Sequence, residues 1–227
     1  MNNIFLVFGY GIPKDILKDE NYNFYLKTVF NKIYDASVKN KSAKSLIICC
    51  GGETDVIKPY KRNEADEMIK FFAALIKKRS FLDPVIKNWI FVSEKKSLST
   101  LENLINSKKI IGRRKTGKAD FFIFCEQTRE KRIKVLAKKV LGKNCNFQII
   151  PVDFDISSNR YLPSGFLEKK ERLELKHSLW ALRSPENLEK YHKVFAEKME
   201  YLRKAGPKAH VRAVKKWWEQ KLEELKS

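Results

Sequence analysis

A chain of 227 residues, 43% hydrophobic and 12% aromatic, is long enough for one full domain plus an appendage, and this composition excludes a disordered chain. The formal net charge of +20 invites an anionic partner, but the basic residues are spread along the whole sequence, the pattern of a solvated basic surface more than of a nucleic-acid-binding tail. Cys49, Cys50, Cys125 and Cys145 show no CxxC spacing and so indicate neither a zinc site nor a disulfide framework. The opening MNNIFLVFGYG has an apolar run too short for a signal peptide or a membrane span, so a cytoplasmic protein is expected.

Residues 4–8, rich in β-branched and aromatic side chains, predict a buried strand. In the following GYGIPK, Gly9 and Gly11 allow backbone N–H groups to approach a ligand. Lys14 stands where the dinucleotide fingerprint has its third glycine, so a plain tight turn serves as well. A helix is predicted over 22–38 and a second strand over 46–50. Gly51 and Gly52 follow, where a side chain would block close backbone approach. RNEADEM then opens a helix over 64–79. Asn63 fits its cap, and Glu64, Asp66 and Glu67 favour the positive end of its dipole.

After a third strand over 89–92 comes KKSLSTLENLINSKKIIG, residues 95–112. A helix over 100–111 places Leu101, Leu104, Ile105 and Ile111 on one face. Ser99 and Glu102 stand at capping-box spacing, which accounts for both. Ser97, Thr100 and Asn103 are left over, and a helix N-terminus lined with hydroxyl and amide groups suits an anionic or polar ligand. The loop GRRKTGKA, 112–119, only mimics a phosphate loop: Ala119 replaces the magnesium-binding hydroxyl, and the loop follows a helix instead of a strand.

The fourth strand, 121–124, leads into CEQTREKR. Arg129 and Arg132 start a helix over 129–141, where cations oppose the dipole. Either a bound anion or pairing with Glu126 and Glu130 would remove the conflict. The fifth strand, 147–152, ends in Asp153 and Asp155, two carboxylates suited to a metal, a base or simply a turn.

The order βαβαβαβαβ predicts an α/β fold with a mostly parallel five-stranded sheet and helices on both faces. Ligands of such sheets sit beyond the carboxyl ends of the strands, where all these clusters fall. Residues 1–160 form this predicted α/β domain. Residues 161–227 form a helical extension, broken at Ser184-Pro185 and Gly206-Pro207. Its last helix carries Val211, Val214, Trp218, Leu222 and Leu225 as an apolar stripe, expected to dock on the sheet domain, a dimer contact being the alternative. His177, His192 and His210 lack the spacing of a metal site or a catalytic triad. Trp217 and Trp218, amid Lys215, Lys216 and Lys221, suit core packing under lysine stems or stacking on bases.

The Gly51-Gly52 pair, Glu64-Ala65 opening a helix, Ser97, Thr100, Glu102 and Asn103, and the basic helix start after the fourth strand, in this order, resemble the bacterial YdcF, SanA and ElyC family over about residues 1–155. The resemblance implies a Rossmann-like sheet, a ligand site at the strand ends, S-adenosylmethionine as a candidate cofactor, and a role in cell-envelope maintenance. Carried over by position, Gly51, Gly52, Glu64, Ser97, Thr100, Glu102, Asn103 and Arg132 match the family pattern. Asn63 departs from the family's serine. Arg129 departs from its histidine, so an acid or base at that position is not expected here. No stretch matches the membrane segment of SanA and ElyC, which weighs against the envelope role.

The resulting expectation is a small anionic or nucleotide-like ligand among the post-strand loops. Gly9, Gly11, Gly51 and Gly52 give backbone approach, Ser97, Thr100 and Asn103 hydrogen-bond the ligand, and Arg129 and Arg132 neutralise it. Glu64, Glu102 or Asp153 serve as acid or base. The alternative is a basic module that binds nucleic acid or an anionic membrane through its lysine-rich tail.

Overall fold

Five runs of apolar, largely β-branched or aromatic residues become the strands β1 (Asn3–Phe8), β2 (Ser45–Cys50), β3 (Trp89–Glu94), β4 (Asp120–Glu126) and β5 (Phe147–Val152). The structure is a computed structural model describing residues 3–39, 44–79, 83–114, 119–142, 145–153 and 163–224. All strand pairings are parallel among the described residues, in the order β3-β2-β1-β4-β5. The crossovers that parallel neighbours require are α1 (Glu20–Val38), α2 (Glu64–Lys77), the single turn α3 (Asp83–Ile86), α4 (Thr100–Arg113) and α5 (Glu130–Leu141). Only α3 was not anticipated, being too short to show a period.

Alternation along each strand sends side chains to two separate cores. Phe5, Val7, Ile47 and Cys49 pack under α1 and α2. Ile4, Leu6, Ile48 and Cys50 pack under α4 and α5. Strands buried on both faces carry few polar positions, which is why residues 4–8 of β1 and 46–50 of β2 read as unbroken apolar runs. Cys49 and Cys50 are core residues, and burial pushes both thiols well up. The result is the α/β, Rossmann-like architecture expected, with the sheet wholly parallel. The chain winds outward from β1 to β2 and β3, then returns across β1 to β4 and β5. The crossovers on the two sides leave the strand ends in opposite directions, opening a crevice between the ends of β1 and β4.

The extension forms α6 (Ser164–Ala181), α7 (Pro185–Ala205) and α8 (His210–Glu223). Ser184 caps α7, accepting from the Asn187 N–H at 3.2 Å, with Pro185 in the first turn, and Gly206 ends it at φ 75°. The breaks therefore fall at the two expected dipeptides. The three helices cover the carboxyl edge of the sheet. At one end of α7, His192 Nδ1 lies 2.6 Å from Glu102 at the start of α4. Towards the other end, the Arg203 guanidinium donates to the carbonyls of Asp55 at 3.0 Å and Glu53 at 2.9 Å in the loop after β2. The stripe on α8 packs within the chain, but chiefly on α6 and α7 where docking on the sheet domain was expected, and its buried residues are Ala213, Trp217 and Trp218, while Val211 stays 47% exposed. Aromatic neighbours on α7 set that phase, Phe195 against Trp218 and Tyr201 against Trp217. Residues 154–162, 115–118 and 225–227 lie outside the described residues, and with them Asp155, the predicted boundary at 160, the centre of the basic loop and Leu225. No helix among the described residues is long and apolar enough to cross a membrane.

Candidate functional site

A cavity of about 220 Å³ lies at the crevice between β1 and β4, roofed by the helical extension. Its floor includes Gly9, Gly11, Gly51 and Glu64, its walls Ser97, Thr100 and Asn103 on one side and Arg129 and Arg132 on the other. Nine of the twelve predicted site residues thus converge on one space. Gly52, Glu102 and Asp153 do not line it.

The glycines owe their identity to packing more than to a ligand. A Cβ on Gly9 or Gly51 would overlap the Glu64 side chain. Gly52 is tied on both sides: its N–H donates to the Ser97 carbonyl at 2.7 Å, and its carbonyl accepts from the Glu64 N–H at 3.0 Å. A Cβ there would lie 2.8 Å from the carbonyl oxygens of Lys95 and Ser97, backbone atoms with no rotamer to escape through. Gly52→Ala is therefore expected to destabilise the protein by about 3 kcal/mol, the upper part of the overpacking range, as a lowered urea midpoint would report. Gly11, at φ 128°, has open space around it.

Glu64 is the carboxylate at the floor. Asn63 caps α2 as expected, accepting from the Asp66 N–H, while Gly51 and Gly52 carbonyls take the N–H groups of Ala65 and Glu64. The start of α2 is thereby saturated, and Asp66 and Glu67 turn outward to Lys95 and Arg62. Glu64 Oε1 accepts from the Gly11 N–H and lies 2.6 Å from the Tyr22 hydroxyl. Burial pushes its carboxyl above the ordinary carboxylate range, although these hydrogen bonds and Arg129 oppose the shift.

The cluster before α4 divides between capping and the cavity. Ser99 Oγ accepts from the Glu102 N–H at 3.3 Å, and Glu102 Oε2 accepts from the Leu98 N–H at 2.7 Å. Its other oxygen meets His192, so Glu102 faces the extension and not the cavity. Ser97 Oγ accepts from Asn106 Nδ2 at 3.0 Å. Thr100 and Asn103 remain at the wall. Asn103 is only 6% exposed, and its Oδ1 is buried with no hydrogen-bond partner among the described residues. Asp153, beyond β5, is exposed.

Arg129 crosses the crevice, its Nη1 donating to the Gly9 carbonyl at 2.9 Å. Arg132 resolves the dipole conflict by neither route foreseen. It pairs at 2.6 Å with Glu171 and at 2.6 Å with Glu174, both on α6, and Lys170 closes the network at 2.7 and 3.2 Å. Burial alone would raise both carboxyls, but Arg132 and Lys170 outweigh it and hold them below the ordinary range. Glu126 instead accepts from Thr128.

The extension adds Lys198, which the sequence did not single out, and Trp218, which it read as a packing or base-stacking residue. Lys198 on α7 lines the roof, its Nζ 5.0 Å from the Trp218 ring centroid and 5.6 Å from that of Phe195, with no ion pair among the described residues. Burial pushes its ammonium down to about 8. Trp218 is 3% exposed, lines the cavity, and has an Nε1 without a partner among the described residues. A signal was present. The buried stripe of α7 runs Tyr191, Phe195, Met199 and Leu202, and Lys198 is half-buried beside it, a lysine at the edge of an apolar face. No family model matches this chain, and neither does any curated protein or solved structure.

Proposed function

We propose that this chain is a YdcF-like α/β protein that binds a small anionic or nucleotide-like ligand, S-adenosylmethionine-like by the family resemblance, in the cavity between β1 and β4. The observation that carries this reading is Asn103, a cavity-lining residue at the N-terminus of α4 whose Oδ1 is a buried acceptor without a partner among the described residues. An unsatisfied buried acceptor costs about 1–3 kcal/mol, which a ligand would recover. The positive end of the α4 dipole and the Arg129 guanidinium supply the electrostatic preference for an anion. At about 220 Å³ the cavity lies below the roughly 300–1,000 Å³ of drug-sized pockets. That favours a single small anion over a dinucleotide. Glu64, with its raised carboxyl at the floor, is the group placed to move a proton should the ligand react. The alternative of a nucleic-acid module loses its stacking platform, because Trp217 and Trp218 are both buried.

A thermal-shift panel of S-adenosylmethionine, AMP and ribose 5-phosphate tests the reading. A compound at a hundred times its dissociation constant is expected to add about 2.7 kcal/mol of stability, and Asn103→Ala is expected to remove most of that gain. No shift across the panel, or an equal shift in Asn103→Ala, would count against the cavity as the site.

A further inference from the structure

Residues on opposite sides of the cavity carry buried polar atoms that have no partner among the described residues, and the chemistry of those atoms differs. Asn103 Oδ1, on the sheet side, can only accept a hydrogen bond. Trp218 Nε1, on the roof, can only donate, and the Lys198 ammonium beside it carries three further donors. Thr54 Oγ1, also buried and unpartnered on the cavity lining, serves either role. Trp217 Nε1 is unpartnered too, but that ring does not line the cavity. A bare anion offers acceptors alone. It would satisfy the roof and leave Asn103 as costly as before.

We infer that Lys198 and Trp218 of the helical extension are ligand-binding residues, and that the ligand is a small hydroxylated organic anion whose charged group meets them while a hydroxyl donates to Asn103. This rests on the ligand-binding reading above and goes further by assigning half of the site to the extension. The cation–π contacts of Lys198 with Trp218 and Phe195 orient the ammonium without neutralising it. The groups facing Lys198 are Lys170 and Glu174 on α6, Arg132 on α5, Arg129 in the turn before it, and His210 on α8. Glu174 is already committed to Arg132 and Lys170, so Lys198 keeps its charge for a ligand, with no ion pair among the described residues. Since Lys198 loses its proton near pH 8, affinity for the anion is expected to fall as pH rises through that value.

The test titrates ribose 5-phosphate and sulfate, the second an anion with no donor, into the unaltered protein, Asn103→Ala, Lys198→Met and Trp218→Phe. Circular dichroism confirms that each variant is folded. Ribose 5-phosphate is expected to bind the unaltered protein at least about tenfold more tightly than sulfate, the worth of one hydrogen bond. Lys198→Met is expected to weaken ribose 5-phosphate at least tenfold and to abolish the pH dependence around 8. Trp218→Phe should weaken it a few-fold. If Asn103→Ala loses binding while Lys198→Met and Trp218→Phe keep it unchanged, the role of the extension is wrong and the site itself stands. Equal affinity for sulfate and ribose 5-phosphate overturns the requirement for a hydroxyl. Binding of neither probe overturns this assignment together with the site.

Discussion

Arg132→Met is expected to lower the unfolding free energy by about 3–5 kcal/mol at pH 7, the usual cost of removing one partner from a buried ion network. Glu171 and Glu174 would then be two carboxylates shielded from water, with Lys170 as their remaining ion-pair partner among the described residues. Because both sit on α6, the expected structural consequence is loosening of the extension, read as a red shift of Trp217 and Trp218 fluorescence. The pH dependence follows from the direction of the shifts. Both carboxyls titrate lower in the folded protein than in the unfolded chain, Glu171 near about 2. Their contribution is complete above the ordinary carboxylate pKa of about 4.3 and is lost as pH falls from there towards 2. Urea titrations at pH 7 and at steps from pH 5 to 2 should show this acid sensitivity in the unaltered protein. It should be weakened in the variant, whose carboxylates no longer have Arg132 to hold them ionised. Replacing Arg132, Lys170, Glu171 and Glu174 together by apolar residues is expected to restore most of the stability, since the desolvation cost disappears with the charges. A loss below about 1 kcal/mol for Arg132→Met would mean that water reaches the network.

Lys198→Met should act in the opposite direction, stabilising the ligand-free protein by about 1–3 kcal/mol at pH 7. Lowering a lysine from 10.5 to about 8 means that the fold disfavours the ammonium, at about 1.4 kcal/mol for each unit, less what residual solvent access recovers. The unfolded chain binds more protons than the folded one between pH 8 and 10.5, so the stability of the unaltered protein rises with pH across that window. The advantage of the methionine is then expected to shrink to nothing by about pH 10.5. Melting temperatures of the two proteins at pH 7 and pH 10 decide the matter. A destabilised variant, or a gain that does not depend on pH, would show that the ammonium is well solvated or well paired. A lysine held against the apolar rings of a cavity at the expense of stability is the expected mark of a binding residue, because sites that must receive a charge are held in strained electrostatic balance until the ligand arrives.

The α/β alternation, the strand positions within a few residues, the two breaks in the tail and the capping of α4 by Ser99 and Glu102 were legible because they depend on neighbours close in the chain. Period, turn residues and cap spacing are local, and the chain carries them wherever it goes. The convergence of Gly9, Glu64, Asn103 and Arg129 was legible at one remove. In a parallel sheet every strand delivers its following loop to the same edge. What each of those residues does there was not legible. Gly51 and Gly52 read as room for a ligand, but they make room for Glu64 and for the backbone before α4.

Arg132 shows most plainly where local reading ends. Its position at a helix start foretold a need for negative charge, and the chain met that need from α6, 39 residues further on. Nothing in the spacing of the sequence encodes that distance. It arises because three helices of unspecified destination fold back over the strand ends, so that the same packing which buries Trp217 and Trp218 carries Glu171, Glu174 and Lys198 with it. The sequence alone determined the sheet, its helices and the edge at which a ligand should be sought. Only the tertiary structure decided that this edge has a roof, which cations under it are already paired, and that Lys198 and Asn103 face one cavity. Charge pairing and cavity closure depend on distances between segments far apart in the chain, and those distances exist only once the cores have packed.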